Sequence, residues 1–317
     1  MRRALLFALA LCRPILAAPP PLGPYNTTSA IFSASVFDSS DARVWAWWPT
    51  SGAAGETFPL VPYLHGGLGG GDLIAAYTPL FSQLASWGLV VLAPLGCSLG
   101  CNDAANSSRW TACGGLLPLR PTDMPWGAYY GEALKAIDWA RNLSAAPRAG
   151  APFALIDHGA GYGVAGHSLG GQSAAVAATG DCPAAWSVKT VVLHHPASGN
   201  TSSGNIGRNM SVPVSIFTSS GDAGWPSARG YMDAFASRGD GLASAYRDEV
   251  GWGHLEAVLW PPTENPLLAT YSAAWLAVFL RGDRGVSYQR VFGSGADALC
   301  THAPMVECTT TPPRLPR

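Results

Sequence analysis

Five residues, Gly166-His167-Ser168-Leu169-Gly170, constrain what this chain can fold into more than any other stretch. They form a G-x-S-x-G pattern, and Gly171 follows. Gly161 to Ala165 precede it and can form a short strand. Gln172 to Ala178 come after it, small residues suited to a helix packed close to a sheet. A serine on a sharp turn between strand and helix has its Oγ pushed out and exposed. Such a turn needs small flanking residues, which Gly166 and Gly170 supply. The following helix N-terminus would aim N–H groups and a positive dipole end at the site. In a chain with 37 glycines the bare pattern is weak. The strand–turn–helix setting gives it weight.

The flanking chain alternates strands and helices. Ala30 to Phe37 and Arg43 to Trp48 read as an antiparallel strand pair. Phe58 to Leu64 reads as a buried strand, although Pro59 and Pro62 would each remove a ladder donor. Helical spacing over Thr78 to Trp87 puts Leu80, Phe81, Leu84 and Trp87 on one face. Leu89 to Ala93 is a further buried strand, and residues 96–126 form a long cysteine-containing loop. Tyr129 to Arg141 predicts a helix, apolar at Tyr130, Leu134 and Ile137. Beyond the elbow, Val188 to Leu193, Val212 to Phe217 and Ala243 to Val250 predict strands. Pro226 to Arg238 and Leu267 to Leu280 predict helices. This alternation implies a mostly parallel, doubly wound α/β sheet with right-handed crossovers. With no internal repeat and no second core, residues 30–310 read as a single domain. A proline-rich arm over 19–29 precedes it, and a tail over 311–317 follows.

A nucleophilic serine needs a base, and the base needs an orienting carboxylate. For a serine on this type of turn the chain order is Ser, then Asp or Glu, then His, on loops at strand ends. Asp222 follows a strand 54 residues after Ser168, and His254 follows the next strand 32 residues later. Asp233 falls mid-helix, Asp240 in a Gly-Asp-Gly turn and Asp248 inside a strand, so each reads as a surface charge. His194 and His195 end a neighbouring strand; one of them is a candidate to line the pocket, and each reads first as a satisfied structural histidine. His158 reads as a surface loop residue, and His302 lies near the tail. His65-Gly66-Gly67-Leu68-Gly69-Gly70-Gly71 follows a buried strand directly. Its backbone can approach a substrate oxygen closely, so Gly67 joins Leu169 as a candidate oxyanion donor.

Composition excludes other classes. Charged residues are 12% of the chain and net charge is −1, with scattered arginines, unlike a nucleic-acid-binding surface. Arg2 and Arg3, the apolar run Ala4 to Leu11, and Ala17-Ala18 before Pro19 read as a secretory signal over 1–18. No later stretch is a clean apolar run of about 18 residues, so no membrane span is expected. Beyond the leader six cysteines remain: Cys97, Cys101, Cys113, Cys182, Cys300 and Cys308. In an exported chain an even number predicts three disulfides, with Cys300–Cys308 the local pair. A zinc site from Cys97, Cys101 and Cys113 is the lesser alternative, lacking a C-x₂-C pair and a nearby histidine. Sequons at Asn26, Asn106, Asn142, Asn200 and Asn209 fit a glycosylated secreted protein.

With these residues placed, the chain resembles the secreted polyester-hydrolase and cutinase-like branch of the α/β-hydrolases, whose superfamily group includes chlorophyllases and platelet-activating-factor acetylhydrolases. The resemblance rests on Phe58-Pro59-Leu60-Val61 leading to His65-Gly66, and on Leu84-Ala85-Ser86-Trp87-Gly88-Leu89-Val90-Val91. It continues through Gly163 to Gly171, Val212-Pro213-Val214, Gly221-Asp222, Gly253-His254 and Thr270 to Trp275. It implies an α/β-hydrolase fold and a Ser168–His254–Asp222 triad; the 54 residues from Ser168 to Asp222, read as a helix, a strand and a loop, leave no room for a large lid. It also implies oxyanion donors at Gly67 and Leu169, and Cys300–Cys308 as the family's C-terminal disulfide. The chain departs where those polyester hydrolases carry aromatics: Gly67 stands in the oxyanion loop and Ala197 after the strand following the elbow.

The expected function is secreted serine ester hydrolysis by a monomer without metal or organic cofactor. The substrate would be a small-molecule, lipid or polyester ester. Chlorophyllase-like hydrolysis, lipid acetylhydrolase activity and a catalytically silent binding protein are the alternatives. Trp110, Trp126 and Trp252 are candidates for the pocket border or for packing.

Overall fold

A computed structural model describes residues 23–34, 36, 41–50, 52–96, 130–146, 150–197, 200–219, 222, 228–250, 253–255, 257–258, 266–302 and 305–314, with backbone alone at 130, 200–202 and 266. The leader 1–18, Cys97, Cys101, Cys113, Asn106, Trp110, Trp126 and Trp252 lie outside the described residues.

In chain order the elements are β1 (Thr27–Ser33), β2 (Arg43–Pro49), β3 (Leu60–Leu64), α1 (Thr78–Ser86), β4 (Val90–Pro94), α2 (Tyr130–Ser144), β5 (Tyr162–His167) and α3 (Leu169–Ala177). Then follow α4 (Cys182–Trp186), β6 (Val188–His194), α5 (Asn200–Asn209), β7 (Val214–Ser219), α6 (Arg229–Ala236), β8 (Ser244–Glu249), α7 (Pro266–Leu280), α8 (Val286–Phe292) and β9 (Met305–Thr311). The strands form one sheet in the order β1-β2-β4-β3-β5-β6-β7-β8-β9. β4, β3, β5, β6, β7 and β8 run parallel, while β1, β2 and β9 close the two flanks antiparallel.

The central strands are continuous apolar runs because both faces are covered. Side-chain alternation sorts each strand between two cores. Leu60, Leu64, Val90, Leu92, Val164, Val191, Leu193, Val214 and Ile216 pack on one face with Leu134 and Ile137 of α2 and Ala174 to Ala177 of α3. Val61, Tyr63, Val91, Ala93, Ala165, Val192 and Phe217 pack on the other with α1 and α7. Leu80, Phe81 and Leu84 fall in that second core as their spacing predicts, while Trp87 is half-buried beside it.

Several elements differ from the sequence expectation. β1 begins at Thr27 and ends at Ser33, because its partners on β2 run from Pro49 back to Arg43. Phe58 stays outside β3 in an isolated bridge to Ile156. Pro62 is tolerated inside the sheet: it pairs in register with Leu92, and the ladder to β5 resumes at Tyr63. The sequence reading misses α4, α5, α8 and β9. α5 is polar and contains glycine, and it forms by docking on α6. A Cβ at Gly207 would lie 2.4 Å from the Tyr231 carbonyl oxygen. β9 carries the domain to Thr311, and the Cys300–Cys308 bridge ties it to the preceding turn. Cys182, fully buried, is also disulfide-bonded. Asn26, Asn142 and Asn209 are exposed.

The strand order positions the site. From β3 the chain steps to β4 on one side and returns to β5 on the other. Loops leaving the carboxyl ends of β3 and β5 therefore diverge, and the crevice between them is where open α/β sheets hold ligands. The loop at Gly66-Gly67 and the elbow at Ser168 flank that crevice.

β8 separates the loops carrying Asp222 and His254, and a buried ion pair fixes it. Arg247 donates from Nε to Glu249, from one terminal nitrogen to the Leu299 carbonyl, and from the other to the His302 carbonyl at 2.6 Å. The two side chains are 0% and 1% exposed. Replacing Arg247 by Leu leaves the Glu249 carboxylate buried without its guanidinium. We expect a loss of about 3–5 kcal/mol, measured by urea unfolding. A change under about 1 kcal/mol would show that the pair does not hold β8 in place.

Candidate active site

The elbow is built by close backbone approach. Ser168 takes φ +55° and ψ −118°, directly before α3. Such a conformation costs a non-glycine residue about 1–3 kcal/mol. The surroundings over-determine it. A Cβ at Gly166 would sit 2.2 Å from the Gly170 carbonyl oxygen, and one at Gly170 would sit 2.0 Å from that of Leu64. Both glycines are thus obligatory, which gives the sequence pattern its steric meaning. Ser168 N–H donates to the His194 carbonyl at 3.0 Å. The Ser168 carbonyl accepts from Gln172 and Ala197 N–H at 3.0 and 2.8 Å. Ala197 is 2% exposed and packs behind the nucleophile through that bond.

The three groups picked out by chain order come together. Ser168 Oγ lies 2.8 Å from His254 Nε2, and His254 Nδ1 lies 2.8 Å from Asp222 Oδ2. A carboxylate can only accept, so Nδ1 carries the ring proton and Nε2 is free to accept from the serine hydroxyl. The His254 side chain is 19% exposed and that of Asp222 6% exposed. The interval between Ser168 and Asp222 is taken up by α3, α4, β6, α5 and β7.

Of the two histidines at the end of β6, His195 is the one that reaches the site: its Nδ1 lies 3.3 Å from the same Asp222 Oδ2, so the structural reading fails for it. Its Nε2 is buried without a hydrogen-bond partner among the described residues. Its backbone is turned to φ +43°. Burial would raise the Asp222 pKa, but the bonds from His195 and His254 outweigh it and hold the carboxyl down to about 2. The ligand atoms of His195, Asp222 and His254 lie within 4.8 Å of one another, a grouping with metal-binding chemistry. The two ring nitrogens already meet the carboxylate at hydrogen-bond distance.

His194 behaves as expected of a structural histidine, with Tyr63 Oη 3.0 Å from Nδ1 and Ser272 Oγ 2.8 Å from Nε2. Burial pushes its pKa down to about 3. His158 is half-buried rather than a free surface residue, its Nδ1 2.7 Å from Tyr162 Oη. Asp233 and Asp240 pair with Arg229 and Arg238 on the surface, and Asp248 lies within β8.

The glycine-rich loop is held at its first peptide. The Gly66 carbonyl accepts from Gly69 N–H at 3.0 Å and lies 2.7 Å from His65 Nδ1. In a trans peptide the next N–H points opposite to that carbonyl, so these bonds aim Gly67 N–H. His65 Nε2 lies 2.7 Å from the Gly96 carbonyl. Burial lowers the His65 pKa, against the two carbonyl contacts that raise it. A Cβ at Gly67 would lie 3.1 Å from Leu169 Cδ1, so the two candidate oxyanion positions are neighbours. Leu169 opens α3, where N–H groups have no intrahelical acceptor.

Asp222 also links the site to stability. Its folded pKa lies below the ordinary 3.8, so its contribution is complete above about pH 4 and is lost as pH falls through about 2. Urea melts of Asp222→Asn should show a shallower decline in unfolding free energy across that window than wild type. An unchanged slope would mean that another carboxylate carries the effect.

No protein-family model matches the chain, and no curated protein is significantly similar to it.

Proposed function

We propose that the protein is a secreted serine hydrolase of carboxylic esters with an α/β-hydrolase fold. One observation carries this reading. A positive-φ serine at a helix N-terminus lies 2.8 Å from an imidazole that is itself 2.8 Å from a carboxylate. The mostly parallel sheet and the Ser–Asp–His chain order support it.

In this mechanism His254 Nε2 takes the Ser168 hydroxyl proton as Oγ attacks the ester carbonyl carbon. Asp222 holds the tautomer and stabilises the imidazolium. The carbonyl oxygen becomes an oxyanion that accepts from Leu169 and Gly67 N–H. Collapse breaks the C–O bond to the alcohol, which leaves with the proton from His254. Water, deprotonated by His254, then attacks the acyl carbon; the bond to Ser168 Oγ breaks, Oγ takes the proton back from His254, and the acid leaves. Every step closes on protein groups and water.

Leu68, 61% exposed, adjoins Gly67, and Leu255, 47% exposed, adjoins His254. Apolar side chains beside both halves of the machinery favour an aliphatic acyl or alcohol group. Secretion follows from the leader and the sequons, and the disulfides at Cys300–Cys308 and Cys182 suit an oxidising compartment.

Hydrolysis of p-nitrophenyl esters from acetate to palmitate tests the reading. Wild type should turn over, and Ser168→Ala should lose roughly 10⁴–10⁶ in kcat. A fluorophosphonate should label wild type at Ser168 and leave the variant unlabelled. Folded wild type that is inert and unlabelled would overturn the proposal in favour of a silent binding protein.

A further inference from the structure

We infer that Tyr77 and His167 are positioning residues, joining the glycine-rich loop to the loop of the catalytic base through one directional chain of hydrogen bonds. What the chain positions rests on the ester-hydrolase reading; its direction does not.

The two ends fix the direction. Gly66 N–H can only donate, and it lies 2.8 Å from Tyr77 Oη. At the far end the His254 carbonyl can only accept, and His167 Nε2 lies 2.7 Å from it. Nε2 therefore carries the proton of the His167 ring. A neutral imidazole holds one proton, so Nδ1 is bare and accepts. The donor facing it is the Tyr77 hydroxyl, at 2.9 Å. The order is Gly66 N–H to Tyr77, Tyr77 O–H to His167, and His167 N–H to the His254 carbonyl. Each intermediate group gives one proton and accepts another, with no second arrangement that satisfies both ends.

The setting keeps this chain rigid. Tyr77 is 1% and His167 2% exposed. The Tyr77 ring stacks on Phe81 at an interplanar angle of 10°. A Cβ at Gly66 would lie 2.8 Å from His167 Nδ1, so residue 66 must be glycine for the rings to meet there. Burial, together with the neighbouring His254 and His195, holds the His167 pKa well below its usual value and keeps the ring neutral.

Neither side chain is aimed at the reacting atoms. Tyr77 anchors the residue before Gly67, and His167 anchors the main chain of the base. The chain therefore fixes the separation between the oxyanion donor and His254, two groups on loops far apart in sequence. A displacement of about 1 Å between such groups costs roughly 10²-fold in rate.

The test uses Tyr77→Phe, His167→Leu, their combination, and His167→Gln, which keeps an amide acceptor and donor. Tyr77→Phe and His167→Leu should each lower kcat on p-nitrophenyl acetate about 10–100-fold, well below the melting temperature, with KM within about twofold. The double variant should fall no further than the worse single variant, and His167→Gln should recover most of the loss. In ¹⁵N NMR, wild-type His167 should be the Nε2–H tautomer. Unchanged kcat in Tyr77→Phe, a loss confined to KM, multiplicative losses in the double variant, or an Nδ1–H tautomer would each overturn the inference. If His167→Leu does not fold, Tyr77→Phe decides the kinetics, since it removes one oxygen and keeps the ring. Failure of wild-type Ser168 to label with a fluorophosphonate would instead sink the ester-hydrolase reading, and the tautomer would still decide the relay.

Discussion

Everything at the crevice depends on the close approach of backbone to backbone around Ser168. Gly166 on β5 and Gly170 on α3 leave no room for a Cβ against Gly170 and Leu64 respectively. That contact seats α3 on the ends of β3 and β5 and points its free N–H groups into the crevice. It also forces Ser168 into positive φ, lifting its side chain off the helix axis. Remove either glycine and the strain at Ser168 loses the packing that sustains it. The geometry of Ser168 is therefore a property of the sheet rather than of a local turn.

The sheet then decides where the other groups can be. In parallel strands every carboxyl end lies on the same edge, so the loops after β3, β5, β6, β7 and β8 all emerge beside one another. They deliver Gly67, Ser168, His195, Asp222 and His254 to one place from a stretch of almost two hundred residues. Local chain geometry needs only to orient each side chain. Asp222 shows how that is done: one carboxylate oxygen faces two imidazoles, at 2.8 Å from His254 and 3.3 Å from His195. The second imidazole limits the positions the carboxylate can take and so limits the ring it orients.

The meeting of Ser168, Asp222 and His254 and the core strands were legible in the sequence because each leaves a local mark. Ser168 sits in a steric pattern, Asp222 and His254 each follow a strand in the expected chain order, and the central strands buried on both faces are runs of apolar residues. The missed features leave no such mark. α5 is mostly Asn, Thr, Ser and Gly with a single apolar residue, Ile206, too few to show a helical period, although Ile206 is buried and Gly207 lies close against α6. β9 has its apolar and polar residues set by pairing with β8 at the sheet edge. His195 follows a histidine at the end of β6, where spacing gives no hint that the chain turns through φ +43° toward Asp222. Tyr77 and His167 lie ninety residues apart and meet where the short 3₁₀ helix Gly71–Tyr77, between β3 and α1, ends beside β5. Sequence periodicity reports burial; it does not report which buried polar atoms face each other.

Backbone strain gathers at the same crevice. Four non-glycine residues among those described have positive φ: Leu68, Ser168, Ser187 and His195. Three of them sit on the loops that leave β3, β5 and β6 at the crevice. Such conformations each cost about 1–3 kcal/mol and persist only where surrounding structure imposes them. A fold selected for stability alone would relax them by placing glycine or asparagine there. Instead Leu68 keeps an exposed apolar side chain beside Gly67, Ser168 keeps a hydroxyl on the base, and His195 keeps an imidazole on Asp222. In each case the strained residue carries a side chain at the crevice that glycine could not supply. The concentration of strain at one end of the sheet, where Ser168, His254 and Asp222 also meet, is what a preorganised site requires.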